Sequence, residues 1–307
     1  MAWDDWTEQG LMLVQSGDLE NAERMLRLAL EASLDFAPED YRRPASVTNL
    51  GGLLYETGRL EEAASLVRSA LEHHRTHLGP RHPYVVRALA NLAMIAHAQN
   101  RLDDAQHLYE ASLHATDPDE FDQESLRTMI SLSELYKDLN RTDEALTMID
   151  QALLGLGDDA DPMDRAMALS TRADILMATG RMEQAASPLT EMVEIARRTL
   201  GPNHVDTSYP LNDLGLVQLQ LGHAEDATTT FRKVLFIRER ALGANHPSVA
   251  SAWNNLGAAF ERLQRWHEAT EAFQQAVTIW SQTLGPQSPE ANAANRSLQR
   301  ITAENKP

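Results

Sequence analysis

Val47-Thr48-Asn49-Leu50-Gly51-Gly52-Leu53-Leu54-Tyr55-Glu56-Thr57-Gly58-Arg59-Leu60-Glu61-Glu62-Ala63-Ala64-Ser65-Leu66-Val67 carries two helical patterns with one break between them. Leu50, Leu53 and Leu54 recur at helical spacing, and beyond Gly58-Arg59 so do Leu60, Ala63, Ala64, Val67, Ala70 and Leu71. Glycine at the break reaches the left-handed conformation that ends a helix. The stretch therefore reads as a helical hairpin.

The same pattern returns seven times. An alanine follows a Gly or Asn turn in each copy, at Ala22, Ala63, Ala105, Ala145, Ala185, Ala227 and Ala269, with spacings of 41, 42, 40, 40, 42 and 42 residues. Twelve residues earlier stands a small residue (Gly10, Gly51, Ala93, Ser133, Ala173, Gly215, Gly257), and four residues later a bulky one (Leu26, Val67, Tyr109, Ile149, Leu189, Phe231, Phe273). A fourth column, four residues before the small one, reads Trp6, Val47, Leu89, Met129, Leu169, Leu211 and Trp253. Small columns let helices approach, and large ones fill the space they leave. Between copies run Leu78-Gly79-Pro80-Arg81-His82-Pro83, Leu200-Gly201-Pro202-Asn203-His204, Leu242-Gly243-Ala244-Asn245-His246-Pro247 and Leu284-Gly285-Pro286-Gln287-Ser288-Pro289. Gly stops one helix and Pro opens the next. The connections at Asp117-Pro118-Asp119-Glu120 and Gly157 to Pro162 lack this motif.

These columns resemble the tetratricopeptide repeat, with Trp6, Gly10, Ala22 and Ala29 at its Trp, Gly, Ala and Ala positions. The long period, the Leu-Gly-Pro-x-His-Pro linkers and Trp253-Asn254-Asn255-Leu256-Gly257 are similar to the kinesin-light-chain type of that family. The resemblance implies an all-α, right-handed superhelical α-solenoid of seven hairpins over residues 3–286 (3–37, 40–79, 83–116, 122–156, 162–200, 205–243, 247–285). Ser288 as N-cap, Pro289 and the apolar set Ala291, Ala294, Leu298 and Ile301 predict a capping helix over 288–304. Repeats that touch only their neighbours form one elongated unit, so a single solenoid is expected.

No basic-then-apolar leader opens the chain and no stretch is apolar enough to span a bilayer, which predicts a cytoplasmic protein without a membrane partner. With no cysteine there is no disulfide or thiolate chemistry, and with net charge −18 nucleic acid is not expected as a partner. Gly155-Leu156-Gly157-Asp158-Asp159-Ala160 spells a dinucleotide fingerprint, but a helix precedes it and its aspartates would face phosphates. Asp158, Asp159, Asp161 and Asp164 lack the alternating ligands and closing Glu of a calcium loop. His73, His74, His77 and His82 cluster, and His73 with His77 is an i, i+4 pair able to share zinc, yet no third ligand is evident and surface histidines are the plainer reading. His82, His204 and His246 hold one linker position, which predicts a bond near the next helix start. No catalytic motif appears, so neither enzyme activity, metal nor cofactor is expected.

Function is then expected on the concave face lined by the first helix of each hairpin. One column there reads Glu8, Asn49, Asn91, Ser131, Thr171, Asp213 and Asn255, all able to hydrogen-bond. The resemblance implies that Asn49, Asn91 and Asn255, with Asn212 and Asn254 one place earlier, hold a peptide backbone. Neighbours on a helix diverge by about 100°, so Asn254 and Asn255 cannot both face the groove, and a row of polar residues bonding adjacent helices is the competing reading. Arg87 and Arg127 lie one turn before Asn91 and Ser131, a patch for an acidic side chain. Ala90 and Ile130 stand where a lysine would favour a terminal carboxylate, and Glu134 opposes one. The leading expectation is a non-catalytic scaffold binding an extended protein or peptide segment. The alternatives are a self-assembling homo-oligomer meeting through a Trp3 and Trp6 face, and a sensor of a short signalling peptide. Pro188 and Pro210 predict a kink or late helix start at the fifth and sixth copies.

Overall fold

The computed structural model describes residues 2–116, 122–157 and 160–304, the side chain of Glu304 excepted. The acidic segments around 117–121 and 158–159 fall wholly or partly outside the described residues. Among those described there are fifteen α-helices and no strand. They pair as hairpins: α1 (Ala2–Ser16) with α2 (Leu19–Ser33), α3 (Arg42–Glu56) with α4 (Leu60–Leu78), α5 (Pro83–Ala98) with α6 (Leu102–Ala115), and α7 (Gln123–Asp138) with α8 (Thr142–Leu156). The series continues with α9 (Pro162–Ala178) and α10 (Met182–Thr199), α11 (Ser208–Gln220) and α12 (Ala224–Leu242), α13 (Pro247–Arg262) and α14 (Trp266–Thr283), then α15 (Pro289–Glu304) alone. The fold is an all-α repeat solenoid.

The hairpin turns use positive φ in every copy, but the expectation of Gly or Asn throughout is corrected in the seventh, where Gln264 takes φ 59°. The arginine that follows the turn residue pairs forward with an acid three residues on, as Arg59 does with Glu62 and Arg101 with Asp104, both at 2.6 Å. It also reaches the preceding hairpin: Arg59 meets Glu23 at 2.6 Å, and Arg141 donates to Gln106 at 2.7 Å.

The small and bulky columns meet inside each hairpin. A Cβ added to Gly215 would lie 2.5 Å from Cε1 of Phe231, and one on Gly10 would lie 2.8 Å from Cδ2 of Leu26. At Gly215 the rigid Phe231 ring leaves room for glycine alone, whereas at Gly10 the flexible end of Leu26 would have to shift. Gly51 faces the smaller Val67, where an added Cβ would keep an ordinary 3.6 Å contact.

Several first helices, or the turn just before them, start on side-chain caps, whereas α3, preceded by Tyr41, has none. Nδ1 of His82, His204 and His246 accepts from the backbone N–H two residues on, at 3.2, 3.3 and 3.1 Å. Asp122, Asp161 and Ser288 cap α7, α9 and α15 in the same place. The linker histidines thus have the loop role their recurrence predicts. Pro188 lies buried inside α10, which nevertheless runs without a break from Met182 to Thr199. One lost intrahelical bond is outweighed where Ala185, Leu189 and Val193 are all buried around it. At Pro210 the helix does start late: a 3-10 turn, Val205–Thr207, precedes α11.

Contacts divide the chain into two compact units, Met1–Asp158 and Asp159–Pro307. The first is centred on Leu26, Leu50, Leu54, Val67 and Val85. The second is centred on Phe231, Val249, Leu256, Phe273 and Ala276, and Ala291, Ala294 and Ile301 of α15 close its end. No described helix is long and apolar enough to cross a membrane.

Candidate functional site

Like helices of neighbouring hairpins touch through the first of each pair, α1 with α3, α5 with α7 and α11 with α13. First helices therefore lie on the inner side of each unit's stack, and residues at helical spacing along them share one face.

In the first unit, Asn49 and Asn91 occupy this face half-buried. Neither side chain makes a hydrogen bond among the described residues, so both keep two donors and an acceptor. Ser131, also half-buried, lies within hydrogen-bonding reach of the Tyr109 phenol, which burial pushes up to about 12. Arg87 lines a cleft of about 430 Å³ with Arg81, Tyr84, Asp122 and Glu124, and its guanidinium lies 5.4 Å from the Tyr84 ring centroid. Glu124 was not singled out from the sequence, although it stands one turn before Arg127. Burial pushes its carboxyl up against the pull of Arg87 and Arg127. The two arginines thus share an internal acid, and the opposing charge is Glu124 rather than Glu134 alone.

The second unit spends most of its row internally. Asn255 donates to Asn212 at 2.9 Å and Asn212 to Asp213 at 3.3 Å, linking α13 to α11. Burial pushes the Asp213 carboxyl up, with Asn212 and the nearby Arg238 opposing. Arg238 is itself buried, donating to Ser208 Oγ and the Ser248 carbonyl, both at 3.1 Å. Thr171 is corrected as a ligand-facing residue: it is 7% exposed and its hydroxyl donates to the Met167 carbonyl. Asn254 is half-buried with no hydrogen bond from its side chain among the described residues. Of the adjacent amides, Asn255 serves the helix interface.

Apolar side chains that sequence reasoning passed over share the inner face. Leu11, Met94 and Leu216 stand three residues after the polar column, Met167 and Tyr209 four before it, and all five are exposed. The register arithmetic that located the amides would have found them too.

The histidine cluster departs from the surface reading. His74 is 1% exposed, neither ring nitrogen has a hydrogen-bond partner, and its ring lies 5.5 Å from that of Tyr84. Burial, with His73, Arg43, His82 and Arg87 around it, pushes the imidazole down to about 4. The His73 and His77 rings lie 4.2 Å apart, and His77 Nδ1 is 2.8 Å from the His73 carbonyl. Among the described residues no third His, Cys, Asp or Glu joins them in a metal-binding group. Of the Trp3 and Trp6 face, Trp3 is corrected: it is 7% exposed, donates to Ser46 Oγ at 2.7 Å and meets Tyr41 edge-on, because the indole needs a partner for its N–H when buried, whereas Trp6 is half-buried.

Comparison with known proteins fits this architecture. The tetratricopeptide repeat family matches residues 42–116, 164–240, 225–282 and 248–297. Protein KINESIN LIGHT CHAIN-RELATED 1 of Arabidopsis thaliana is 25% identical over 209 residues, 67% of this chain and 34% of that protein, so the chain spans about a third of its length. BtubC (BKLC) from P. vanneervenii superposes with a TM-score of 0.58 at 21% identity, covering 82% of this chain and 94% of that one. The apo form of RapI gives a TM-score of 0.71 at 12% identity over 99% of this chain and 87% of its own. At such identities both show the fold alone. With the repeat matched over more than half its length, the chain belongs to the tetratricopeptide-repeat family, and its repeats are of the kinesin-light-chain-like type.

Proposed function

We propose that this chain is a non-catalytic interaction scaffold that takes an extended segment of a partner protein on the inner face of its first unit. Tetratricopeptide-repeat proteins generally mediate protein–protein interactions. The observation that carries the reading is the pair Asn49 and Asn91, held half-buried in one column of consecutive first helices with their amides uncommitted. An extended strand laid across these first helices would meet the two amides in turn. Ser131 extends the row and Met94 adds apolar contact. Arg87 and Arg127 favour an acidic side chain, which would compete with Glu124 for their pull. Among the described amides of the second unit's row, Asn254 alone has an uncommitted side chain, so that face contributes less.

The test is selection of binders from a displayed random-peptide library, followed by titration of the winners. Two amide-to-backbone bonds at about 1 kcal/mol each predict that N49A/N91A weakens binding by about ten- to thirtyfold. Selected peptides that bind this variant and the wild type equally sink the reading. R87E/R127E tests the acidic preference separately, and unchanged affinity for acid-bearing winners removes that part.

A further inference from the structure

A cleft of about 480 Å³ between α10 and α12 in the second unit is lined by Arg197, Asn203, Thr229, Arg232, Lys233 and Phe236, with no acid among its lining residues. That inverts the chain's own balance, in which 45 acids face 27 bases. Little neutralises the three cations. Arg197 has Glu194 at 3.4 Å, a pair in which both side chains are more than half exposed. Arg232 stands 5.6 Å from the Phe260 ring and acts at longer range on Glu268. Lys233 makes no ion pair or side-chain hydrogen bond among the described residues. Like charges gathered this way repel one another and favour an anion between them.

Stacking of the repeat does not ask for this cluster. The positions of Arg232, Lys233 and Phe236 hold Thr190, Glu191 and Glu194 in the fifth copy, and Gln274, Gln275 and Thr278 in the seventh. Those hairpins form equally well. Phe236 is 50% exposed, flanked by the Arg240 guanidinium at 5.4 Å, an arrangement that buries nothing of its own.

We propose that this cleft binds a phosphorylated serine or threonine of a partner protein. A phosphate monoester brings close to two negative charges and three acceptor oxygens. Two guanidinium groups, an ammonium and the Asn203 amide match that count better than they match a single carboxylate, while the Thr229 hydroxyl is already donated to the Glu225 carbonyl. Leu211 and Phe236 offer an apolar wall to the residue beside the phosphate. A polyanion is a poor occupant, because its backbone would run on past the cleft over a chain of net charge −18. The site lies on a different unit from the Asn49 and Asn91 face and does not depend on it.

The probes are a fluorescein-labelled Leu-Ala-phosphoThr-Leu-Ala peptide, its unphosphorylated twin and millimolar inorganic phosphate. The phosphopeptide is expected to bind at least about tenfold tighter than the twin, an advantage that shrinks with added salt and disappears in R232E/K233E. N49A/N91A leaves it in place, which separates this site from the inner face. Inorganic phosphate raises the melting temperature of wild type more than sodium chloride of equal ionic strength does, and does not do so in the double variant. Should R232E/K233E fail to fold, R232Q/K233Q serves in the same comparison. Equal affinity for twin and phosphopeptide, undiminished binding by the variant, an effect of chloride equal to that of phosphate, or an oligonucleotide binding as tightly as the phosphopeptide would each overturn the assignment.

Discussion

Gly215 and Gly51 stand at equivalent positions and should respond oppositely to alanine. At Gly215 the new Cβ would meet the Phe231 ring at 2.5 Å in a core that has no room to give, so G215A is expected to lose about 1–3 kcal/mol. At Gly51 the space is open to 3.6 Å, and helix propensity alone makes G51A neutral or more stable by up to about 1 kcal/mol. Urea unfolding of the two variants decides this, and a matching loss at both sites would contradict it. His74 makes the second residue-scale prediction. Its folded pKa is about 4, whereas in the unfolded chain it returns to the ordinary 6.5. Above pH 6.5 it is neutral in both states. As pH falls from 6.5 towards 4 the unfolded chain takes up a proton that the buried imidazole refuses, and stability drops by roughly 2–3 kcal/mol. Leu156 holds the corresponding place in the fourth copy, so H74L keeps the packing and should remove this part of the acid loss. Denaturation at pH 7 and pH 4.5 gives the comparison, and equal acid sensitivity in the two proteins would refute the assignment. That the column accepts Leu156 or His74 explains why the sequence could not show the histidine as buried: the repeat specifies a position, not its chemistry.

Helices are specified chiefly by their ends. The linker histidine caps the following helix with an uncharged ring nitrogen, the task that Asp122, Asp161 and Ser288 perform elsewhere. Replacing His246 by Ala leaves the Ser248 N–H without its acceptor and is expected to cost about 0.5–2 kcal/mol, while H246D keeps the cap and stays close to wild type. Differential scanning calorimetry distinguishes the two. Equal losses would mean that the imidazole acts by packing instead. The recurrence of His82, His204 and His246 made this role legible before any coordinates. Gln264 shows the limit, since a residue outside the usual turn set can be held at positive φ when the helices on either side pack well enough. Pro188 teaches the same lesson from the other direction.

At the scale of the molecule, stability should be local, because each hairpin buries its face against its neighbours only. Leu54, 2% exposed in the first unit's core, is expected to lose about 2–5 kcal/mol on truncation to Ala. Amide hydrogen exchange should then quicken in α2 through α5 and stay as it was in α13 and α14. Uniform acceleration along the chain would contradict the nearest-neighbour picture. Hairpin number, turn positions and the small-to-large packing were determined by the amino-acid sequence alone, since period, turn chemistry and side-chain volume are written in single columns. The fate of the amide row was not. Asn49 and Asn255 are the same residue in the same column, yet Asn255 is taken by Asn212 across the helix interface while Asn49 stays uncommitted. Which polar groups are satisfied within the protein, that Arg87 pulls on Glu124 of the next hairpin, that Trp3 is buried against Ser46 and that Arg197 lines one cleft with Lys233 depend on side chains 36 to 43 residues apart. Such distances are set when hairpins stack, so only the tertiary structure decided them.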